Sequence, residues 1–208
     1  LQKFDKNDYT ARMKSVKVES APEIYQLKIT LLEIKPVIWR RLLVSEQTTL
    51  SGLHRIIQAA FDWWNYHLHL FEIAGVRYSQ PEFEIAEEWD EDIKNEKRFR
   101  LGWFDFGKGD KFYYEYDFGD SWRHEILFER MLSSERTVRY PKCVDGARSR
   151  PPEDVGGASG YKYFLEAIKK PAHPAHEEYL EWAGGAFDAE YFSLDETNER
   201  IRKAVRQS

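Results

Sequence analysis

One cysteine, Cys143, in 208 residues excludes an intrachain disulfide and any metal cluster built from cysteine alone within one chain. No apolar run of roughly 18 residues occurs and no secretory signal pattern can be read, so a non-membrane, cytoplasmic protein is expected. Positive charge is not in excess: 31 Lys and Arg against 36 Asp and Glu give a net charge of −5, which offers no nucleic-acid footprint overall. The G-x-x-x-x-G-K-[ST] phosphate loop is missing, and so is the compact H-E-x-x-H zinc word. No internal repeat appears, and no linker is rich enough in Gly or Ser to divide the chain. These absences leave one α+β domain over residues 24–208, behind a polar tail or loosely attached strand over 1–23.

Aromatic residues are what the chain has in plenty, 7 Trp, 12 Tyr and 13 Phe. They fill cores efficiently and also line grooves and interfaces. Charge and aromatic residues mix most densely in YYEYDFGDSWRHEILFERM, residues 113–131. Tyr114, Tyr116 and Phe118 alternate before a turn at Gly119, Asp120 and Ser121; Trp122, His124, Ile126 and Phe128 alternate after it. Period two on both sides of a Gly-Asp turn predicts a β-hairpin. Asp117, Asp120 and His124 crowd its tip with more polarity than a hairpin needs.

Upstream, Tyr25, Leu27, Ile29 and Leu31 alternate with polar residues, which predicts a half-buried strand. Pro36 breaks the run before VIWRRLLV, and two antiparallel strands result. Arg40 and Arg41 cannot both face a core, so one is expected on the solvent side and the other near an edge or beside an acid. Leu50, Leu53, Ile57 and Phe61 share a helical face behind a cap at Thr48 or Thr49, with His54 a satisfied histidine at the stripe's edge. Residues 82–96 carry eight acids and little period, which predicts a surface excursion. Near the C-terminus three helices are expected: one from about Ser159 with Tyr163, Phe164 and Ala167 inward, one over HEEYLEW with Tyr179, Leu180 and Ala183 inward, and one capped by Asp195. The expected fold is α+β, a mainly antiparallel sheet with helices packed on it and a helical C-terminal lobe.

Three stretches carry the candidate chemistry. In DWWNYHLHLFEI, Trp63 and Trp64 close the helix, and His67 and His69 share one face of a strand, about 6.5–7 Å apart, a span one metal ion can bridge. The hairpin tip adds Asp117, Asp120 and His124. The Pro- and Gly-rich loop PPEDVGG adds Glu153 and Asp154, which can equally serve the following helix N-terminus. Converging, they would form a polar pocket walled by Trp63, Trp64 and Trp122, fit for a small polar ligand or a metal-held water. Each His could instead donate to an Asp and only fix the hairpin and loop.

Four segments, YQLKITLLEIKPVIWRRLLV, LHRIIQAAFDW with HLHLF, YEYDFGDSWRHEILFE, and YPKCVDGARSRPPEDVGGASGYKYFLEAI, together resemble the plasmid pRiA4b ORF-3-like family. The resemblance implies an α+β fold of helices on a mainly antiparallel sheet and an association with mobile genetic elements. Its occasional resolvase-like label is not carried over, because no helix-turn-helix with a basic recognition helix can be read. It also implies a second cysteine just before PPED, where this chain has Arg150.

Three functions remain open. The first is a binding or accessory module that takes a small polar ligand or a protein partner, with no cofactor required. The second is a metal-dependent hydrolase or nuclease-like enzyme in which imidazole and carboxylate hold zinc or manganese. The third is weak nucleic-acid binding through Arg40, Arg41 and Arg55 with nearby aromatics. A homo-oligomer is compatible with all three.

Overall fold

Alternation drives the architecture, and the first strand shows it: Tyr25, Leu27, Ile29 and Leu31 are buried along one face of β1 (Glu23–Leu31). The structure, a computed structural model, describes residues 21–80 and 93–206. The elements that follow β1 are β2 (Ile38–Ser45), α1 (Leu50–Phe61), β3 (His69–Ile73), β4 (Val76–Ser79), β5 (Lys94–Asn95), β6 (Lys111–Tyr116), β7 (Trp122–Ser133), β8 (Lys142–Ala147), α2 (Gly157–Lys169), α3 (His176–Trp182) and α4 (Leu194–Arg206). The eight strands form one sheet in the order β5-β4-β3-β6-β7-β1-β2-β8. Among the described residues only the β4–β5 pair is parallel. This is the α+β fold expected, with helices on a mainly antiparallel sheet and a C-terminal helical stretch.

Helix α1 begins where Thr49 caps it, its hydroxyl accepting from Gly52 N–H at 3.0 Å. It ends at Asp62, which turns left-handed (φ 71°). Leu50, Leu53, Ile56, Ile57 and Phe61 pack into the same core as Leu27, Ile29, Phe112, Tyr114 and Ile126 of the sheet. Pairing carries that buried face across strands: Phe71 lies opposite Tyr114, Tyr114 opposite His124, His124 opposite Leu31, and Leu31 opposite Ile38.

The two adjacent arginines of β2 part company as the pleat requires. Arg41 faces the open side of the sheet and pairs with Glu129 and Asp145, both at 2.8 Å. Arg40 faces inward, 3% exposed, and donates to the carbonyls of Trp39, Ala60, Ala147 and Arg148 at 2.8–2.9 Å. Its guanidinium lies 5.0 Å from the Phe61 ring and 4.6 Å from the Phe192 ring. Burial pulls its pKa down to about 10, so it stays charged at neutral pH. It ties the end of α1, whose carbonyls favour a cation, to β2 and β8.

Helix α4 lies against α1 and β8, with Ile201 and Thr197 buried. Asn198 on α4 accepts from Cys143 N–H and donates to Cys143 C=O, both at 2.9 Å, along the outer edge of β8. Ser193, not Asp195, caps this helix: its hydroxyl accepts from Glu196 N–H. On α2 the inward residues are Tyr161, Phe164 and Ala167, while Tyr163 is 48% exposed. Helix α3 has no buried residue, so Tyr179, Leu180 and Ala183 are only partly covered.

Other expectations change for local reasons. Phe118 is 40% exposed, because Asp117 takes φ 57° and the alternation stops one residue before it. Of the acidic stretch, residues 82–92 lie outside those described, as do residues 1–20 of the expected tail. Glu96, at the end of that stretch, is fully buried in a short 3₁₀ turn (Glu96–Arg98) rather than part of a surface excursion.

Candidate metal centre

Three loops approach one another at the β6 end of the hairpin. The first is the connection from α1 to β3, where Asn65 turns left-handed (φ 59°) and Tyr66 and His67 follow. The second is the hairpin turn: Asp117 Oδ1 accepts from Gly119 N–H at 3.0 Å, and Ser121 N–H closes on Asp117 C=O at 2.6 Å. That fixes the carboxyl of Asp117 with Oδ2 pointing away from the turn. The third is the PPEDVGG loop, where Asp154 is left-handed (φ 56°) and Gly156 N–H donates to Asp120 Oδ2 at 3.1 Å. Gly157 then passes so close to the hairpin that a Cβ on it would sit 2.7 Å from Asp120 C=O.

His67, Asp117 and Asp154 converge, each offering a donor atom within 4.8 Å of the others. His67 Nε2 is 3.1 Å from Asp154 Oδ1 and 3.5 Å from Asp117 Oδ2. It is buried, yet its directions make no hydrogen bond. Asp117 is largely buried and Asp154 mostly exposed, so the cluster opens to solvent on the Asp154 side. Tyr66 O–H donates to Asp154 Oδ2 at 2.6 Å, and its ring packs 4.2 Å from the His67 ring.

Asp120 and Glu153 stand behind these three. Asp120 joins hairpin to loop, as above. Glu153, 4% exposed, accepts from Trp64 N–H at 2.7 Å through Oε1, while Oε2 is buried without a partner. Burial raises its pKa, against the pull of Trp64 N–H and Arg150.

His69 and His124 do not join them. His69 starts β3 two residues after His67, faces the core and pairs with Glu96 at 2.8 Å. The His54 ring stacks on it at 3.5 Å. His54 is buried rather than at the stripe's edge, and a directed chain fixes its tautomer. Gln58 donates to Tyr114 O–H, that hydroxyl donates to His54 Nδ1 at 2.8 Å, and His54 Nε2–H donates to Asn65 Oδ1 at 2.7 Å. Burial, then the neighbouring His69, pushes the His54 pKa well below its ordinary value. His124 is fully buried, and Trp63 Nε1–H points at its Nε2 from 3.4 Å.

The expected wall of three tryptophans reduces to one. Trp63 and Trp122 pack in the core with ring centroids 5.7 Å apart, and Trp64 alone is open, 67% exposed. The proposed basic face does not form either, since Arg40 is inside and Arg41 is ion-paired. Arg55 sits on α1 with its Nε buried and without a hydrogen-bond partner among the described residues.

Sequence reasoning passed over Tyr66, which bonds Asp154, Arg150, which lies over the Trp64 ring, and Glu96, the partner of His69. Asn65 and Tyr66 lie inside the stretch that drew attention to His67. Nothing in the pattern marks Glu96, which in sequence is one acid among the eight of its stretch.

Fold and cluster together define an α+β protein whose one imidazole and two carboxylates have the spacing of ligands around a divalent cation. The chain belongs to the family described as plasmid pRiA4b ORF-3-like protein, whose model matches residues 23–196. It is 38% identical over 183 residues to uncharacterized protein y4hQ of Sinorhizobium fredii (strain NBRC 101917 / NGR234), a match covering 88% of this chain and 90% of that one. The crystal structure of a protein of unknown function, MM3350 from Methanosarcina mazei Go1, is similar with a TM-score of 0.75 and 35% identity, covering 85% of this chain and 98% of that one. Among the described residues no helix is long and apolar enough to cross a membrane.

Proposed function

We propose that the protein holds a divalent cation at His67, Asp117 and Asp154 and acts as a metal-dependent hydrolase. The observation that carries this reading is the buried, unbonded His67 Nε2 placed 3.1 and 3.5 Å from two carboxylate oxygens. Ligands about 2.0–2.2 Å from one ion lie roughly 3–3.5 Å from one another, so these separations fit a shared cation. An imidazole with two carboxylates and no thiolate suits zinc or manganese. Cys143 is far from this role, its thiol turned to Asp145 C=O.

A bound cation would supply a water acidified enough to attack at neutral pH. The chain's own groups have separate tasks. Tyr66 orients the Asp154 carboxylate, the hairpin turn orients Asp117, and Glu153 anchors Trp64 beside the open side.

Isothermal titration of chelator-stripped protein with Mn²⁺ and Zn²⁺ tests the reading. One ion per chain is expected, lost in His67→Ala and weakened at least tenfold in Asp117→Asn, with circular dichroism unchanged. Metal-dependent release of nitrophenol from bis(p-nitrophenyl) phosphate should follow the same order. Equal metal binding by wild type and His67→Ala would refute the site.

A further inference from the structure

The open side of the cluster is not bare. Trp64 and Tyr66, 67% and 51% exposed, stand with ring centroids 5.8 Å apart, and the Tyr66 ring is 4.2 Å from the His67 ring. Exposing two large aromatic rings side by side forgoes burial that a protein of this size would otherwise use. Asp154 holds the Tyr66 ring by its hydroxyl and Glu153 holds the Trp64 backbone by its N–H, so two adjacent acids tie the segment that carries both rings to the cluster.

Arg150 completes the wall. Its Nε donates to Asp62 C=O at 2.9 Å and its Nη1 to Pro151 C=O at 2.7 Å. Its guanidinium lies 5.1 Å from the Trp63 ring and 5.7 Å from the Trp64 ring. Two carbonyls and two indoles therefore fix a cation in place without a carboxylate bonded to it. A guanidinium so held presents its remaining N–H groups to an anion.

We propose that Trp64, Tyr66 and Arg150 form the specificity subsite of the cation centre, and that it takes a nucleotide phosphoester. This rests on the metal reading above. The ligand must satisfy two demands at once. A flat ring must stack on the open indole with the phenol, tilted 46° to it, at its edge, and an anionic group must meet both the cation and Arg150. A neutral sugar could stack but would leave the positive groups unmatched. Inorganic phosphate would match them and leave the rings bare. A nucleotide does both, and base stacking on aromatic side chains tolerates any base.

The surrounding acids sharpen the expectation. Asp117, Asp120, Glu153 and Asp154 repel a phosphate, while Asp62 is paired with Arg200, so the anion enters only when the cation is present. Binding should therefore depend fully on the metal. The same phosphoester chemistry occurs in a free nucleotide and at the phosphorylated end of a single strand.

Isothermal titration with adenosine 5′-monophosphate, inorganic phosphate, adenosine and a 5′-phosphorylated tetrathymidylate, each with saturating Mn²⁺ and again with chelator, tests this. With Mn²⁺ the monophosphate should bind at least tenfold more tightly than phosphate or adenosine, and with chelator not at all. Trp64→Ala should weaken the monophosphate about tenfold while leaving Mn²⁺ affinity and phosphate affinity unchanged. Tighter binding of the tetranucleotide than of the monophosphate would identify a strand end as the source; the reverse would identify a free nucleotide. If Mn²⁺ binds but the monophosphate does no better than phosphate, the subsite is wrong and the cation centre stands. If Mn²⁺ itself does not bind, the cation centre fails and the subsite with it.

Discussion

Acid should destabilise this protein through His124, and by a definite amount. Burial holds its imidazole neutral, lowering the pKa from the ordinary 6.5 to about 4, with Trp63 and Phe61 packed on it. Between those two values the unfolded chain binds a proton that the folded chain refuses. Stability contributed by neutral burial is therefore intact above pH 6.5 and falls as pH is lowered toward 4. The difference amounts to about 3 kcal/mol when complete and about 2 kcal/mol by pH 5. His54 shifts in the same direction for the same reason, so wild type alone cannot apportion the loss. The comparison to make is wild type against His124→Phe, by urea unfolding at pH 7.5, 6.5, 5.5 and 5. The gap between their unfolding free energies should move by about 2 kcal/mol in favour of the variant across that range. A gap that stays constant within about 0.5 kcal/mol would show that His124 titrates alike in both states, and the argument from burial would fail.

Two substitutions probe how the sheet and the loops are held. Arg40→Met keeps the apolar stem between Phe61 and Phe192 but removes every donor to four buried carbonyls; a loss of about 3–5 kcal/mol is expected in urea unfolding, and less than about 1 would refute the clamp. Gly157→Ala places a Cβ against Asp120 C=O at φ 65°, so a cost of about 1–3 kcal/mol is expected, seen as a lower midpoint in thermal unfolding, together with weaker Mn²⁺ binding as hairpin and loop are pushed apart.

Local pattern carried the reading of the fold a long way. The alternation of β1, the extent of α1 and the Gly-Asp hairpin all depend on neighbours in sequence, and the structure has them where periodicity puts them. Phe118 shows the limit: one left-handed residue at Asp117 ends the period, and no count of alternating positions detects it. His67 and His69 show another. Residues i and i+2 share a face only within a strand, and β3 begins at His69, so His67 is free to turn toward Asp154 while its neighbour enters the core. Arg40 was legible as half of an awkward pair, but its partners are carbonyls contributed by α1, β2, β8 and the residue that follows β8. Carbonyls have no sequence signature. Glu96 ends an acidic run whose charge density masks it, and only its meeting with His69 distinguishes it.

The Asn198 side chain on α4 has a consequence for how this protein behaves among its own copies. Sheet edges with unpaired backbone groups are templates on which another chain can add a strand. At β8 the amide of Asn198 occupies the N–H and C=O of Cys143 as a neighbouring strand would, supplied from a helix that cannot extend the sheet. At the opposite edge β5 pairs through only two residues, too short a ribbon to recruit a partner. Among the described residues the sheet is thus blunted at both ends by unlike means. Replacing Asn198 with Ala would uncover a strand edge beside a buried cysteine, a liability for aggregation that has nothing to do with the cation centre.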